Sequence, residues 1–165
     1  MILFLDYDGV LHPDEVWLGS DNRPHLYAAG ELFMWAPKLI EILAPYPDIQ
    51  IVLSTSWVSM LGFKRAKAWL PKPLRDQVIG ATWHSAFKRD GKTVAWWGVA
   101  TRYEQILRYA LRGGVNDWIA IDDNAEGWLD RDRRRLVLCD SDNGLSEPAV
   151  RDILAAQLKA CRFGK

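Results

Sequence analysis

The sequence predicts an α/β fold, a three-layer sandwich in which helices flank a mostly parallel, Rossmann-like sheet. Three observations carry this expectation. Residues 2–5 form a short run that is apolar on both faces, as a buried parallel strand requires. Comparable short runs recur downstream, with helix-spaced segments between them. Three of these runs stop at polar, reactive residues: Asp6-Tyr7-Asp8, Ser54-Thr55-Ser56 and Asp122-Asp123.

Taken in order, the first strand ends at Asp6, and residues 6–11 have loop chemistry. Residues 13–30 are broken by Pro13, Gly19, Pro24 and Gly30, and are expected to be irregular, forming at most a small flap. Leu39, Ile40, Ile42 and Leu43 have helical spacing, closed by Pro45 and Pro47. A second strand spans residues 49–53, a helix follows near 58–70, and Val78-Ile79 is a weak strand signal. Tyr103, Ile106, Leu107, Ala110 and Leu111 mark a helix that Gly113-Gly114 stops. Apolar runs at 118–121 and 136–138 supply two more strands. The last helix starts at Ser146 as N-cap and carries Val150, Ile153, Leu154 and Leu158 on one stripe.

The chain has 165 residues, 49% of them apolar and 25% charged, so residues 1–165 are expected to form a single domain with a substantial core. No apolar run approaches the ~20 residues that cross a bilayer. Asp6 interrupts the first run too early for a signal peptide, which makes the cytoplasm the expected compartment. Cys139 and Cys161 are too few for a disulfide framework or a zinc site. Twenty-one basic residues balance twenty-one acidic ones, and that net charge of zero gives nucleic-acid binding no support.

In an open parallel sheet the carboxyl ends of the strands share one edge, where ligands bind. Asp6, Asp8, Asp122 and Asp123 are therefore expected to converge there and repel one another. A hard divalent cation relieves that repulsion, and oxygen ligands with room for water suit Mg²⁺. Such a cation beside a hydroxyl and a basic side chain is a phosphoryl-transfer constellation.

Residues 4–11, F-L-D-Y-D-G-V-L, resemble the first motif of haloacid dehalogenase-like (HAD) phosphatases. I-V-L-S-T-S, residues 51–56, is similar to their second motif, and I-A-I-D-D, residues 119–123, to their fourth. The resemblance implies a HAD-like phosphatase domain acting on a phosphomonoester. It implies that Asp6 is the nucleophile, forming an aspartyl-phosphate, and that Asp8 is the general acid and base. Asp6, the Asp8 backbone carbonyl and one or both of Asp122 and Asp123 would hold Mg²⁺, and Ser54, with Thr55 as the alternative, would bond a phosphoryl oxygen. Lys92 is the choice for the basic residue of the third motif, with Lys88, Arg89 and Lys64 as competitors. About forty residues separate the first and second motifs, which leaves no length for a large cap domain and suits either a macromolecular substrate, including a nucleic-acid end, or a substrate covered by a partner.

Trp57 and Trp128 follow the second and fourth motifs and could stack on a base, against the plainer reading of packing. His12 could touch substrate but reads first as a solvated loop histidine, and the arginine-rich segment 131–135 as a solvated face. Two other functions share the acidic edge: a PIN-type metal-dependent nuclease, and a non-catalytic HAD-fold binding domain. A signalling receiver would need its acceptor aspartate where Ser54-Thr55-Ser56 stands.

Overall fold

The computed structural model describes residues 1–163. Five parallel strands form the sheet: β1 (Ile2–Leu5), β4 (Gln50–Leu53), β5 (Val78–Ala81), β6 (Trp118–Asp122) and β7 (Leu136–Leu138). Their spatial order is β5-β4-β1-β6-β7, with β1 at the centre. The strand before the first motif thus lies between the strands before the second and fourth.

Side-chain alternation gives the sheet two apolar faces. Leu3, Leu5, Ile51, Leu53, Ile119 and Ile121 face one core cluster; Phe4, Val52 and Ala120 face another. The helices α1 (Ala36–Leu43) and α8 (Pro148–Phe163) supply Leu39, Leu43, Leu154 and Leu158 to the first cluster. The second is covered by Tyr103, Ile106 and Ala110 of α6 (Arg102–Gly113). These are the three layers predicted, and the described residues include no large cap.

Local differences from the predicted elements have local causes. Residues 16–26 are not irregular: β2 (Val16–Leu18) and β3 (Pro24–Leu26) pair as an antiparallel hairpin. The helix expected near 58–70 is two, α2 (Ser56–Leu61) and α3 (Phe63–Ala68), because Gly62 between them has φ +85°. Short helices α4 (Lys72–Gln77), α5 (Gly91–Trp97) and α7 (Asp130–Arg133) complete the connections. Ser146 does not cap α8. It ends a short 3₁₀ turn, Gly144–Ser146, where its hydroxyl donates to the Asn143 carbonyl at 2.6 Å. Among the described residues no helix is long and apolar enough to cross a membrane.

Candidate active site

Register decides which polar residues meet. Leu5 pairs with Leu53 on one side and Ile121 on the other. The next residues, Asp6, Ser54 and Asp122, therefore leave the sheet in one row. The ladder continues into that row: the Asp6 N–H donates to the Ile121 carbonyl at 3.2 Å, and the Ser54 N–H to that of Leu5 at 2.8 Å. By alternation the row belongs to the face covered by α6. A helix leading into a parallel strand begins at the carboxyl edge, so the first residue of α6 lies over this row.

That residue is Arg102. Thr101 and Glu104 form a reciprocal capping box that fixes the start of the helix. The Arg102 guanidinium bridges two carboxylates, with Nη2 3.1 Å from Asp6 Oδ2 and Nε 3.2 Å from Asp122 Oδ2. Asp6 Oδ1 also accepts the Tyr7 N–H at 2.7 Å, and Asp122 Oδ1 accepts that of Asn124 at 2.9 Å.

Carboxylate oxygens of Asp6, Asp122 and Asp123 lie within 4.8 Å of one another. Burial raises the pKa of all three, and mutual charge adds to it. Asp6 is pushed up by burial and by Asp8, against the opposing pull of Arg102. Asp122 is pushed far up by burial and by Asp6. Asp123 is raised to about 7, again by burial first and Asp6 second. Arg102 responds in the opposite sense: burial works against its charge, but Asp6 and Asp122 more than compensate and hold it protonated. One guanidinium among three crowded carboxylates leaves negative charge uncompensated. Asp122 Oδ2, within ion-pair range of Arg102, accepts no hydrogen bond. An oxygen-only donor set with an unsatisfied acceptor fits a hard divalent cation.

Gly9 lets the first loop close over this cluster. Its φ is +68°, and a Cβ there would collide with the Asp123 carboxylate, so both conformation and space call for glycine.

Asp8 lies in different surroundings. The Trp57 indole Nε1–H donates to both its oxygens, at 2.9 and 3.0 Å. His12 Nε2 lies 3.1 Å from Oδ1. His12 Nδ1 accepts the Phe33 backbone N–H at 3.3 Å, which assigns the ring hydrogen to Nε2, facing Asp8. Both donors are fully buried. Trp57 packs edge-on against Tyr7 and Phe33, with centroids 5.5 and 5.4 Å apart.

Asp6, Asp8, Thr55, Arg102 and Asp123 line one open cavity of about 610 Å³. Several expectations are corrected there. Lys92 is exposed in the first turn of α5, outside this lining, and the basic side chain that lines the cavity is Arg102. Neither Lys64, Lys88 nor Arg89 lines the cavity. Of the two hydroxyls, Thr55 lines the cavity, caps α2 by accepting the Trp57 N–H at 3.3 Å, and hydrogen-bonds Asp6. Ser54 Oγ is buried with no partner among the described residues. The Asp8 carboxylate stands apart from the three-carboxylate group, held by Trp57 and His12. Trp57 is buried, so it offers no face for stacking; Trp128 is packed on Tyr103, with centroids 4.8 Å apart. His12 is an internal residue, not a solvated one.

Sequence reasoning missed Arg102 and the roles of His12 and Trp57. The Thr101-x-x-Glu104 pattern was a readable helix start and would have placed Arg102 at the carboxyl edge.

An aspartate directly after the central strand, a second two residues on, hydroxyls directly after the next strand and paired aspartates at the end of the other flanking strand share one edge of the sheet. A family model described as the HAD domain in Swiss Army Knife RNA repair proteins matches residues 2–150. The chain belongs to that family, and so to the HAD-superfamily hydrolases. No curated protein and no solved structure matches it.

Proposed function

We propose that the protein is a Mg²⁺-dependent phosphomonoesterase that works through an aspartyl-phosphate on Asp6, with the phosphorylated end of a nucleic acid as its substrate. The observation that carries the reading is the carboxylate cluster of Asp6, Asp122 and Asp123 in one cavity with Asp8 and Arg102. Membership in a family described by RNA repair proteins and the lack of a large cap favour a macromolecular substrate.

Asp6, Asp122 and Asp123 would hold the ion, which supplies positive charge against the phosphoryl oxygens. Arg102 pairs with the phosphate, and the Thr55 hydroxyl donates to one of its oxygens. An Asp6 oxygen attacks phosphorus while the bond to the leaving oxygen breaks; Asp8, carrying a proton, delivers it to that oxygen. In the second displacement Asp8 takes a proton from water as the water oxygen attacks phosphorus, and the bond to Asp6 breaks. Trp57 and His12 keep the Asp8 carboxyl in one orientation through both steps. Excluding water from the first step falls to the bulk of the substrate, because the cavity is open.

Replacing Asp6 with Asn is expected to abolish turnover of an aryl phosphate and of phosphorylated oligonucleotides while leaving the circular dichroism spectrum unchanged. Borohydride reduction of the wild-type protein during turnover is expected to convert residue 6 to homoserine. Full activity in Asp6→Asn, or cleavage of internal phosphodiesters without a trapped intermediate, would overturn the reading. Inactivity of the wild type on every phosphate tested would favour a non-catalytic domain.

A further inference from the structure

A second cavity, about 710 Å³, adjoins the first. It lies between α2, α3 and the segment after β5, at the same carboxyl edge as Asp6. Ser59 lines both cavities. The wall between them is aromatic: Trp97 lines the first, Trp83 the second, and their ring centroids are 5.0 Å apart.

The two cavities have opposite chemistry. The first gathers five carboxylates against one arginine; the second has Lys64, Arg65 and Lys88 and no acidic residue in its lining. Its remaining surface is largely apolar, with half-buried Phe63 and Tyr109 contributing rings and buried Trp83 backing the wall. This asymmetry extends into the chain around it. Residues 63–92 hold eight Lys and Arg against two Asp, within a protein whose net charge is zero. A balanced total therefore conceals a clustered positive footprint of the kind that the whole-chain charge appeared to exclude.

We infer that this second cavity binds the single-stranded nucleic-acid segment next to the phosphate being removed, with its lysines on backbone phosphates and its rings against the bases. The inference rests on the phosphoesterase reading above and adds the path by which the substrate leaves the site. A terminal phosphate in the first cavity requires the following nucleotides to depart along a surface that neither repels nor strands them. The acidic side is closed to a polyanion by charge. A groove combining basic side chains with aromatic faces is the arrangement that holds single strands with little sequence preference. Lys64 and Lys88 are exposed and, among the described residues, make no bond that would be spent in binding.

The test uses the full chain with Lys64 and Lys88 both replaced by Glu, and a separate Phe63→Leu protein. Binding is read by fluorescence anisotropy of a labelled ten-nucleotide oligoribonucleotide on an Asp6→Asn background; turnover is read on the phosphorylated oligonucleotide and on an aryl phosphate. Charge reversal is expected to weaken binding about tenfold or more and to reduce the slope of log affinity against log salt by about 1.4, two phosphate contacts at ~0.7 each. KM for the oligonucleotide should rise in parallel, with kcat for the aryl phosphate within twofold of wild type. Phe63→Leu should weaken binding about fivefold with the salt slope unchanged. If the wild type binds the strand and the Lys64→Glu, Lys88→Glu protein binds it equally well, the cavity assignment falls while the phosphatase reading stands. Failure of the wild type to bind the strand, or equal competition by polyglutamate of the same length, also overturns it. Binding lost in the variants of a protein inactive on every phosphate would sustain the cavity and overturn the catalytic reading instead.

Discussion

Asp6 and Asp8 are two residues apart on one loop, yet the protein holds them by unlike means. Asp6 belongs to a charged half of the cavity, where Asp122, Asp123 and Arg102 meet it. Asp8 belongs to an aromatic half, where the N–H groups of Trp57 and His12 meet it inside a packed cluster of rings. In the charged half the forces are long-ranged, and one cation can substitute for another. In the aromatic half they are short-ranged and directional, and shape keeps the donors in place. A carboxylate that must share an ion suits the first environment; one that must present a proton in a fixed direction suits the second.

Arg102→Ala strikes the charged half hardest. Removing one partner from a buried ion pair costs about 3–5 kcal/mol when the other charge stays buried, and here two carboxylates lose their counter-charge. The metal-free protein is expected to melt at clearly lower temperature, and kcat/KM on an aryl phosphate to fall about 10²–10³-fold. Saturating Mg²⁺ should restore much of the stability but not the rate. Arg102→Lys is expected to rescue little, since a single ammonium cannot reach both Asp6 and Asp122 as the planar fork does. Wild-type rate in Arg102→Ala would break the comparison, because the charged half would then work without its cation.

Disturbing the aromatic half should be milder and different in kind. Trp57→Phe removes the indole donor but keeps a ring among Tyr7, Phe33 and Trp69. The expected loss is about tenfold in kcat, with KM within twofold, from a hydrogen bond to a charged group of ~1.5–3 kcal/mol. His12→Phe should act similarly, and His12→Gln, which retains a donor, should recover part of the rate. Stopped-flow measurement of kcat and KM separates the outcomes: a rise in KM alone would mean that these residues touch substrate instead of orienting Asp8.

The same division explains what could be read from the sequence. Asp6, Asp8, Asp122 and Asp123 were legible because each stands at the end of an apolar run, a pattern written within a few residues. The parallel sheet, though not its strand order, followed from the alternation of runs and helices. Arg102 was not legible in that way: its place depends on where α6 crosses the sheet, a matter of packing across 96 residues from Asp6. His12 was misread, and the bond from Trp57 to Asp8 was missed although its packing was expected, for a related cause. A polar group is buried where a partner satisfies it, and the partner of the Trp57 indole is 49 residues away. The basic stretch at 63–92 escaped notice because net charge is an average, and the fold segregates what the average cancels.

Acidity gives a further handle on the charged half, because its carboxyls are raised. Asp123 binds its proton at about 7 in the folded protein, against about 4 for an ordinary aspartate. A group that holds its proton more tightly when folded stabilises the fold while protonated. That contribution is present below about pH 4 and is lost as pH rises through 7. Asp6 and Asp122 are displaced in the same direction. Calorimetry of the metal-free protein in EDTA is therefore expected to show a higher melting temperature at pH 5 than at pH 8. Excess Mg²⁺ should narrow or invert that difference, since the ion favours the ionised carboxylates. A melting temperature that rises from pH 5 to pH 8 in EDTA would show that the three carboxylates do not repel one another as their geometry requires.

The smallest effect belongs to the residue that looks best placed on paper. Ser54 stands in the same register row as Asp6 and Asp122, and a hydroxyl there reads naturally as a phosphate donor. Its Oγ is nonetheless buried without a partner, and it is Thr55 that lines the cavity. Replacing an unsatisfied buried hydroxyl by hydrogen leaves no orphan behind, so Ser54→Ala should change stability by no more than about 1 kcal/mol in either direction. Turnover should stay within twofold. Thr55→Val keeps the shape but removes the hydroxyl beside Asp6 and the cap of α2. It is expected to lower kcat/KM about tenfold and to cost ~1 kcal/mol of stability. Comparing the two variants on one aryl phosphate decides which hydroxyl serves the phosphate. A loss in Ser54→Ala equal to that in Thr55→Val would mean that the Ser54 side chain turns toward the charged half once substrate and ion are bound. The row that register defines would then be a row of ligands throughout.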